Sequence, residues 1–172
     1  MGKYVKAAEI PGPIDDLPTW EPETKEEQER YDAIKKELEA AIEKLNKQLK
    51  EYEADFVKIQ DASVELAKLY ALGDNTEHTL KALDNNVEEI DRMGKEDQVP
   101  GFEKLFDGFY KDISDSIKNE NKANGNLMKD INKVGNCCTA ILEEIGEETD
   151  RIRDAINLYQ DKLNGKGEYV YS

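Results

Sequence analysis

Histidine and cysteine are nearly absent from this chain, which has one histidine, His78, and two cysteines, Cys137 and Cys138, among 172 residues. A di-iron helical bundle needs two Glu-x-x-His pairs and a zinc protease motif needs two histidines, so both classes are excluded by counting. The cysteines are adjacent in a predicted helix, where neighbouring side chains point about 100° apart, so a disulfide between them is not expected. We expect Cys138 to pack as a small apolar side chain, and we expect no metal and no cofactor.

Long apolar runs and net positive charge are also missing. The net charge is −15, whereas generic nucleic-acid binding requires a basic surface, so we expect no nucleic-acid partner. No stretch of about 18 apolar residues predicts a transmembrane helix, and the first residues lack the apolar core of a signal peptide. We therefore expect a cytoplasmic protein, either free or peripheral on membranes or the cytoskeleton.

Proline is confined almost entirely to the first 22 residues, where it occupies positions 11, 13, 18 and 22. This density forbids a helix and favours an extended leader. Ile14, Leu17 and Trp20 are apolar anchors in the leader that could dock either into a groove of this chain or onto a partner. The predicted organisation is a leader over residues 1–22, a helical bundle over 23–164 and a flexible tail over 165–172.

The residues from Tyr31 to Tyr70 predict one long helix, because no Gly or Pro interrupts them and Glu, Lys and Gln fill the polar positions. Apolar residues recur there at alternating steps of three and four, as an apolar seam along one helix face requires. Thr24 followed by Glu27 has the spacing of a capping box, which predicts the start of the helix. The seam comprises Ile34, Leu38, Ala41, Leu45, Leu49, Tyr52, Phe56, Ile59, Leu66 and Tyr70.

Two more seams follow. The second runs from Leu80 to Met93, is interrupted between Gly94 and Gly101 around Pro100, and resumes from Phe102 to Ile117. The third runs from Leu127 to Leu163. The predicted fold is all-α, an elongated antiparallel bundle of three long helices with coiled-coil-like seams, whose middle helix is kinked or split near Pro100. Whether residues 76–123 form one kinked helix or two stays open, and the narrow seams favour a homodimer.

Six lysines stand out against the acidic background, at spacings of seven or four: Lys104, Lys111, Lys118, Lys122, Lys129 and Lys133. They would share one face of a helix, or cluster near a tip if the chain turns at Gly125. Either an ordinary mixed surface or a local basic patch for lipid headgroups or an acidic partner explains them. The acidic run from Glu143 to Asp150 lacks the pattern of a calcium loop, and no nucleophile or phosphate-binding motif is present, so no enzyme is expected.

About half of the chain resembles the BAR domains of sorting nexins. The similarity lies in FVKIQDASVELAKLYALGDNTEHTLKALDNNVEEID, with its turn and following helix start, and in FEKLFDGFYKDISDSIKNENKA, which is similar to the start of the family's second arm. The resemblance implies an antiparallel pair of crescent-forming three-helix units and a role in sensing or scaffolding membrane curvature in endosomal traffic.

The sequence therefore predicts a non-catalytic, BAR-like helical scaffold in membrane traffic or cytoskeletal organisation. It would act through dimerisation and through binding of protein partners or a membrane surface. The alternative is a coiled-coil adaptor that does not bind membranes and whose leader around Trp20 binds a protein partner.

Overall fold

The computed structural model describes residues 10–73, 76–119 and 127–165, and all regular secondary structure in these ranges is helical. The predicted all-α class is therefore confirmed. The helices are α1 (Lys25–Leu72), α2 (Glu77–Glu96), α3 (Gly108–Asn119) and α4 (Leu127–Leu163), and a π-helical turn, Glu103–Asp107, precedes α3. The described chain divides into two units, a first unit of residues 52–73, 76–119 and 127–148 and a second unit of residues 10–51 and 149–165.

Helix α1 confirms the predicted long helix and its start. The Thr24 hydroxyl accepts a hydrogen bond from the Glu27 amide at 3.0 Å, and the Glu27 carboxylate accepts one from the Thr24 amide at 3.1 Å. This reciprocal pair satisfies two of the amides that a helix start leaves without intrahelical partners. The helix continues for 48 residues and ends before Gly73, whose positive φ of 62° allows the chain to leave the helix.

The core of the first unit is built from the predicted seams. Its fully buried side chains include Ile59, Leu66, Leu83, Ile90, Phe102, Phe106, Ile113, Ile131, Ile141 and Ile145. Tyr70, which the periodicity placed on the seam, is 53% exposed, so that assignment was wrong. It lies in the last turn of α1 and lines an open groove together with Ile131 and Asn132 of α4, and this groove leaves its side chain accessible to solvent.

The middle element is split, as one of the two predicted alternatives had it. Helix α2 ends at Glu96, the chain passes through Gln98 and Gly101 with positive φ angles of 53° and 79°, and α3 begins at Gly108. Helices α2 and α3 pack against each other. Within residues 10–73, 76–119 and 127–165 there are therefore two long and two shorter α-helices, where the sequence suggested three long ones.

The second unit packs the first half of α1 and the end of α4 with the leader. Between residues 10 and 24 the leader forms no helix. The core of the second unit contains Ile14, Leu17, Ile34, Leu38, Leu45, Ile152, Ile156 and Tyr159. Helix α4 ends before Asn164 and Gly165, as predicted, whereas residues 166–172 of the predicted tail and the predicted turn at Asn124–Asn126 lie outside the described residues.

Candidate interaction surfaces

Helix α1 carries a second apolar stripe on the side that faces away from the core of the first unit. Val57 and Val64 are each about 200° around the helix from the buried Ile59 and Leu66, respectively. They are 53% and 47% exposed. Exposed alanines lie on the same side or at its edge, where Ala67 also lines a groove with α4. We define the outer face of α1 as Ala54, Val57, Val64, Ala67 and Ala71.

The outer face of α1 is flanked by charges of opposite sign near its two ends. Glu53 lies beside its beginning and Lys68 beside its end, and both side chains are exposed. The Lys68 ammonium also forms an exposed ion pair with Glu65 of the same helix at 3.3 Å. The sequence predictions missed this face because they followed the buried seam. The seven-residue spacing of Val57 and Val64 between charged residues was the pattern that could have revealed it.

The six lysines of the predicted basic patch do not share a face of one helix. Lys111 and Lys118 lie on α3, Lys129 and Lys133 lie on α4, and all four are exposed, whereas Lys122 is outside the described residues. Lys104, in the π-helical turn, forms an ion pair with Glu144 at 2.7 Å, and this hydrogen bond raises the lysine pKa.

The two helices that carry four of these lysines are joined near one end. The Ser116 hydroxyl hydrogen-bonds with the buried Asp130 carboxylate at 2.9 Å, which connects the end of α3 to the start of α4. Lys118 and Lys129 are near neighbours of these two residues in sequence. The structure thus brings part of the lysine set to one region and leaves Lys104 apart from it.

The leader is held against the end of α4 in the second unit. The Tyr159 hydroxyl donates to the Pro11 carbonyl at 2.6 Å, and the Lys162 ammonium donates to the Ile14 carbonyl at 2.9 Å and the Asp16 carboxylate at 3.0 Å. The Leu17 amide donates to the carbonyl of Lys162 at 3.1 Å, so the leader also caps α4.

Two of the three predicted leader anchors are buried in this chain. Ile14 is 5% and Leu17 is 8% exposed, whereas Trp20 is 44% exposed. Of the two predicted alternatives, the groove of the chain itself therefore holds Ile14 and Leu17. Docking of the leader onto a partner stays a prediction, and Trp20 is the anchor whose surface is available for it.

The two cysteines are free thiols with little nucleophilic character. Cys138 is fully buried in the seam of α4, as predicted, and the Cys137 thiol donates to the Leu105 carbonyl at 2.8 Å. Burial raises the pKa of Cys137 to about 11 and that of Cys138 to about 12. Because the thiolate is the reactive form, both side chains are largely unreactive at neutral pH.

An open groove of about 570 Å³ lies between α1 and α2 in the first unit. Its apolar lining includes Leu69 and Met93, and the Asn86 amide donates to the Ala62 carbonyl at 3.1 Å. Three of the four charged side chains that line it are paired within the chain: Lys58 with Asp97 at 2.7 Å, Glu65 with Lys68 at 3.3 Å, and Glu89 with Arg92. The side-chain oxygen of Asn86 is buried in the lining without a hydrogen-bond partner, and this single atom is fewer than the several convergent polar groups that are typical of a small-molecule site.

Within the described ranges, no group of three or more His, Cys, Asp or Glu side chains is arranged to hold a metal ion. His78 is exposed in the first turn of α2. None of the described helices is long and apolar enough to cross a membrane.

Comparison of the chain with family models, with curated proteins and with solved structures found no match in any of the three. The resemblance to sorting-nexin BAR domains therefore has no support beyond the sequence pattern itself.

Proposed function

We propose that this chain is a non-catalytic helical scaffold that acts by associating with a second copy of itself and by presenting a helical surface to partners. The observation that carries the proposal is the outer face of α1. A helix that packs only against the core of its own chain has one apolar side. Helix α1 has a buried apolar seam and, in addition, a second apolar stripe with two half-exposed valines. Such a stripe is what a helix needs in order to pack against another helix.

The chemistry of the described side chains supports a non-catalytic role. The two thiols are held in their neutral form by burial. His78 is solvent-exposed, and three of the four charged side chains that line the groove between α1 and α2 are ion-paired: Lys58, Glu65 and Glu89. None of these groups has the combination of a cleft and a functional partner that general acid–base or nucleophilic catalysis requires.

The proposed scaffold is an antiparallel helical bundle with coiled-coil-like seams, and pairs of contacts within the first unit support this arrangement. Lys58 of α1 contacts Asp97, which follows α2, and Ala62, later in α1, contacts Asn86, in the middle of α2. The partners thus occur in reverse order along the chain, as they do when two helices are antiparallel. Lys104 precedes Ser116 in the chain, whereas its partner Glu144 follows Asp130, the partner of Ser116. The segment that contains α3 and the first part of α4 are therefore also antiparallel.

Sedimentation equilibrium of the purified chain over a wide range of concentrations tests the self-association. We expect the weight-average mass to rise from that of one chain toward that of two as the concentration increases. A mass equal to one chain at every concentration would contradict the proposal.

A second candidate function is contact with an anionic membrane surface, in the BAR-like role in membrane traffic or cytoskeletal organisation that the sequence suggests. It is favoured by Lys111, Lys118, Lys129 and Lys133, which are exposed and form no ion pair among the described residues. Each basic side chain near an anionic bilayer contributes about 1 kcal/mol, and this gain has to overcome the repulsion of a chain with net charge −15.

Co-sedimentation with vesicles of phosphatidylserine and phosphatidylcholine at low salt tests the membrane candidate. We expect binding that disappears with vesicles of phosphatidylcholine alone and that weakens when Lys111 and Lys118 are changed to Glu. The matched control changes Lys35 and Lys36 to Glu, which alters the net charge by the same amount at two exposed positions of α1. Failure of the wild-type chain to pellet at low salt would remove this candidate.

A further inference from the structure

Resting on the self-association proposed above, we infer that the outer face of α1 packs against the outer face of α1 in a second copy, with the two helices antiparallel. A two-fold axis near the point between Gln60 and Asp61 generates this pairing. This pairing specifies both the surface that forms the dimer and the register of the two helices.

Four of the five apolar residues of the outer face are arranged symmetrically about that point, whereas Ala71 lies at the level of the partner's Lys50. Val57 and Val64 are equally distant from it, and so are Ala54 and Ala67. The two-fold axis therefore sets Val57 opposite the partner's Val64 and Ala54 opposite the partner's Ala67. The alanines leave room for a close approach of the two helix axes, because small side chains at the contact permit the short end of the usual 8–10 Å separation.

The polar residues select the antiparallel orientation. It places Glu53 at the level of the partner's Lys68, a residue that also forms an exposed ion pair with Glu65 of its own helix. It places Gln60 at the level of the partner's Asp61, where an amide can donate to a carboxylate. A parallel pair in register would set Asp61 against the partner's Asp61 and Lys68 against the partner's Lys68. Opposite charges attract across the first arrangement and like charges repel across the second.

The apolar stripe has a definite length, which bounds the strength of the dimer. Toward the N-terminus, steps of seven from Val57 give Lys50, Glu43 and Lys36, which are all exposed, so the stripe begins at Ala54. From Ala54 to Ala71 the helix rises by roughly 26 Å. An interface of this size is smaller than the standard for stable complexes, so the dimer forms reversibly and its population depends on concentration.

Two single cysteine substitutions test the surface and the orientation together. With antiparallel packing, the thiols introduced by Asp61→Cys meet beside the two-fold axis, whereas those introduced by Lys68→Cys are separated by roughly 22 Å along the helices. We expect mild oxidation to produce a disulfide-linked dimer with Asp61→Cys and not with Lys68→Cys. The wild-type chain supplies the background from its own two thiols, of which Cys138 is buried and Cys137 is partly buried and donates to the Leu105 carbonyl.

The outcomes separate this inference from the proposed function. Equal or stronger cross-linking of Lys68→Cys would overturn the antiparallel orientation. No cross-linking of either variant, with a wild-type chain that sediments as a dimer, would overturn the surface and leave the scaffold proposal standing. A wild-type chain that sediments as a monomer at all concentrations would overturn both.

A paired charge insertion tests the apolar part of the interface. Changing both Val57 and Val64 to Asp should weaken the dimer about tenfold or more, because it replaces apolar area that is buried in each copy. The matched control changes Trp20 and Leu158 to Asp, since these side chains are 44% and 53% exposed outside the outer face and their replacement adds the same charge and should leave the dimer unchanged. Circular dichroism verifies that the helices are retained, and an unchanged dimer in the valine variant would contradict the inference.

Discussion

The ring of Phe102 fills the space that a β-carbon on Gly94 would occupy. Gly94 lies in the last turn of α2, and Phe102 follows the positive-φ residue Gly101 in the connection to α3. Phe102 is fully buried and stacks in a tilted arrangement with Phe106, their ring centroids 5.2 Å apart. The connection between α2 and α3 is thus fixed by a ring that packs directly on the backbone of α2.

A β-carbon at Gly94 should therefore destabilise the first unit. We expect Gly94→Ala to lower the free energy of unfolding by about 1–3 kcal/mol, because the Phe102 ring has to move out of a packed site. Urea unfolding followed by circular dichroism measures this change.

Gly135→Ala is the matched control for this prediction. Gly135 lies within α4, and no atom comes within 4 Å of the position of its β-carbon. There the same substitution should raise the free energy of unfolding by about 0.5–1 kcal/mol, since alanine favours the helix more than glycine does. Equal effects of the two substitutions would show that Phe102 is not packed on Gly94 in solution.

The sequence predicted the interior of the helices better than their connections. Ile59, Leu66, Ile141 and Ile145 are buried as the periodicity predicted, because one face of a long helix must be covered for the helix to be stable. Tyr70 has the same phase and is exposed. Periodicity identifies the face on which a residue lies and not whether another element covers it.

The sequence predicted the position of the connection around Pro100 but not its conformation. The sequence pattern places the start of the break at Gly94, yet α2 continues to Glu96 and Gly94 serves as the packing site for Phe102. The apolar spacing from Phe102 onward is the same for an arm that continues and for a helix that packs back on α2. Nothing in a one-dimensional pattern records that difference.

Lys162 is predicted to hold the leader on the second unit. Its ammonium bonds to the Ile14 carbonyl and to the Asp16 carboxylate, and both charged side chains are 23% exposed. We expect Lys162→Met to raise hydrogen exchange at the Leu17 amide roughly fivefold, which corresponds to the loss of about 1 kcal/mol.

Lys36→Met removes a lysine at an exposed position of α1 and is the control for the leader prediction. It should leave exchange in the leader unchanged. If Lys162→Met also leaves the Leu17 amide protected, the leader is held by its buried apolar side chains alone.

The two buried thiols should make stability depend on pH in alkaline solution. Their pKa values rise from 9.0 to about 11 for Cys137 and about 12 for Cys138, so the folded state keeps both protonated where the unfolded chain would ionise them. The contribution is complete below about pH 9 and is lost as the pH rises toward the folded-state values. The free energy of unfolding should therefore fall between about pH 9 and pH 11.

Comparison with Cys137→Ser isolates the thiol contribution from that of other groups that titrate in this range. The variant should lose less stability than the wild-type chain over the same pH interval, as measured by urea unfolding. Identical pH profiles would mean that Cys137 ionises as easily in the folded chain as in the unfolded one.

The most direct test of the central claim, antiparallel self-association through α1, is a charge-reversal cycle measured by sedimentation equilibrium. Glu53→Lys and Lys68→Glu should each weaken the dimer severalfold, because each places like charges together at two symmetric points, and surface pairs contribute about 0.2–1 kcal/mol each. The double variant should recover the affinity of the wild-type chain, since it restores opposite charges at both points. A double variant that is as weak as either single variant, or single variants that dimerise like the wild type, would contradict the account.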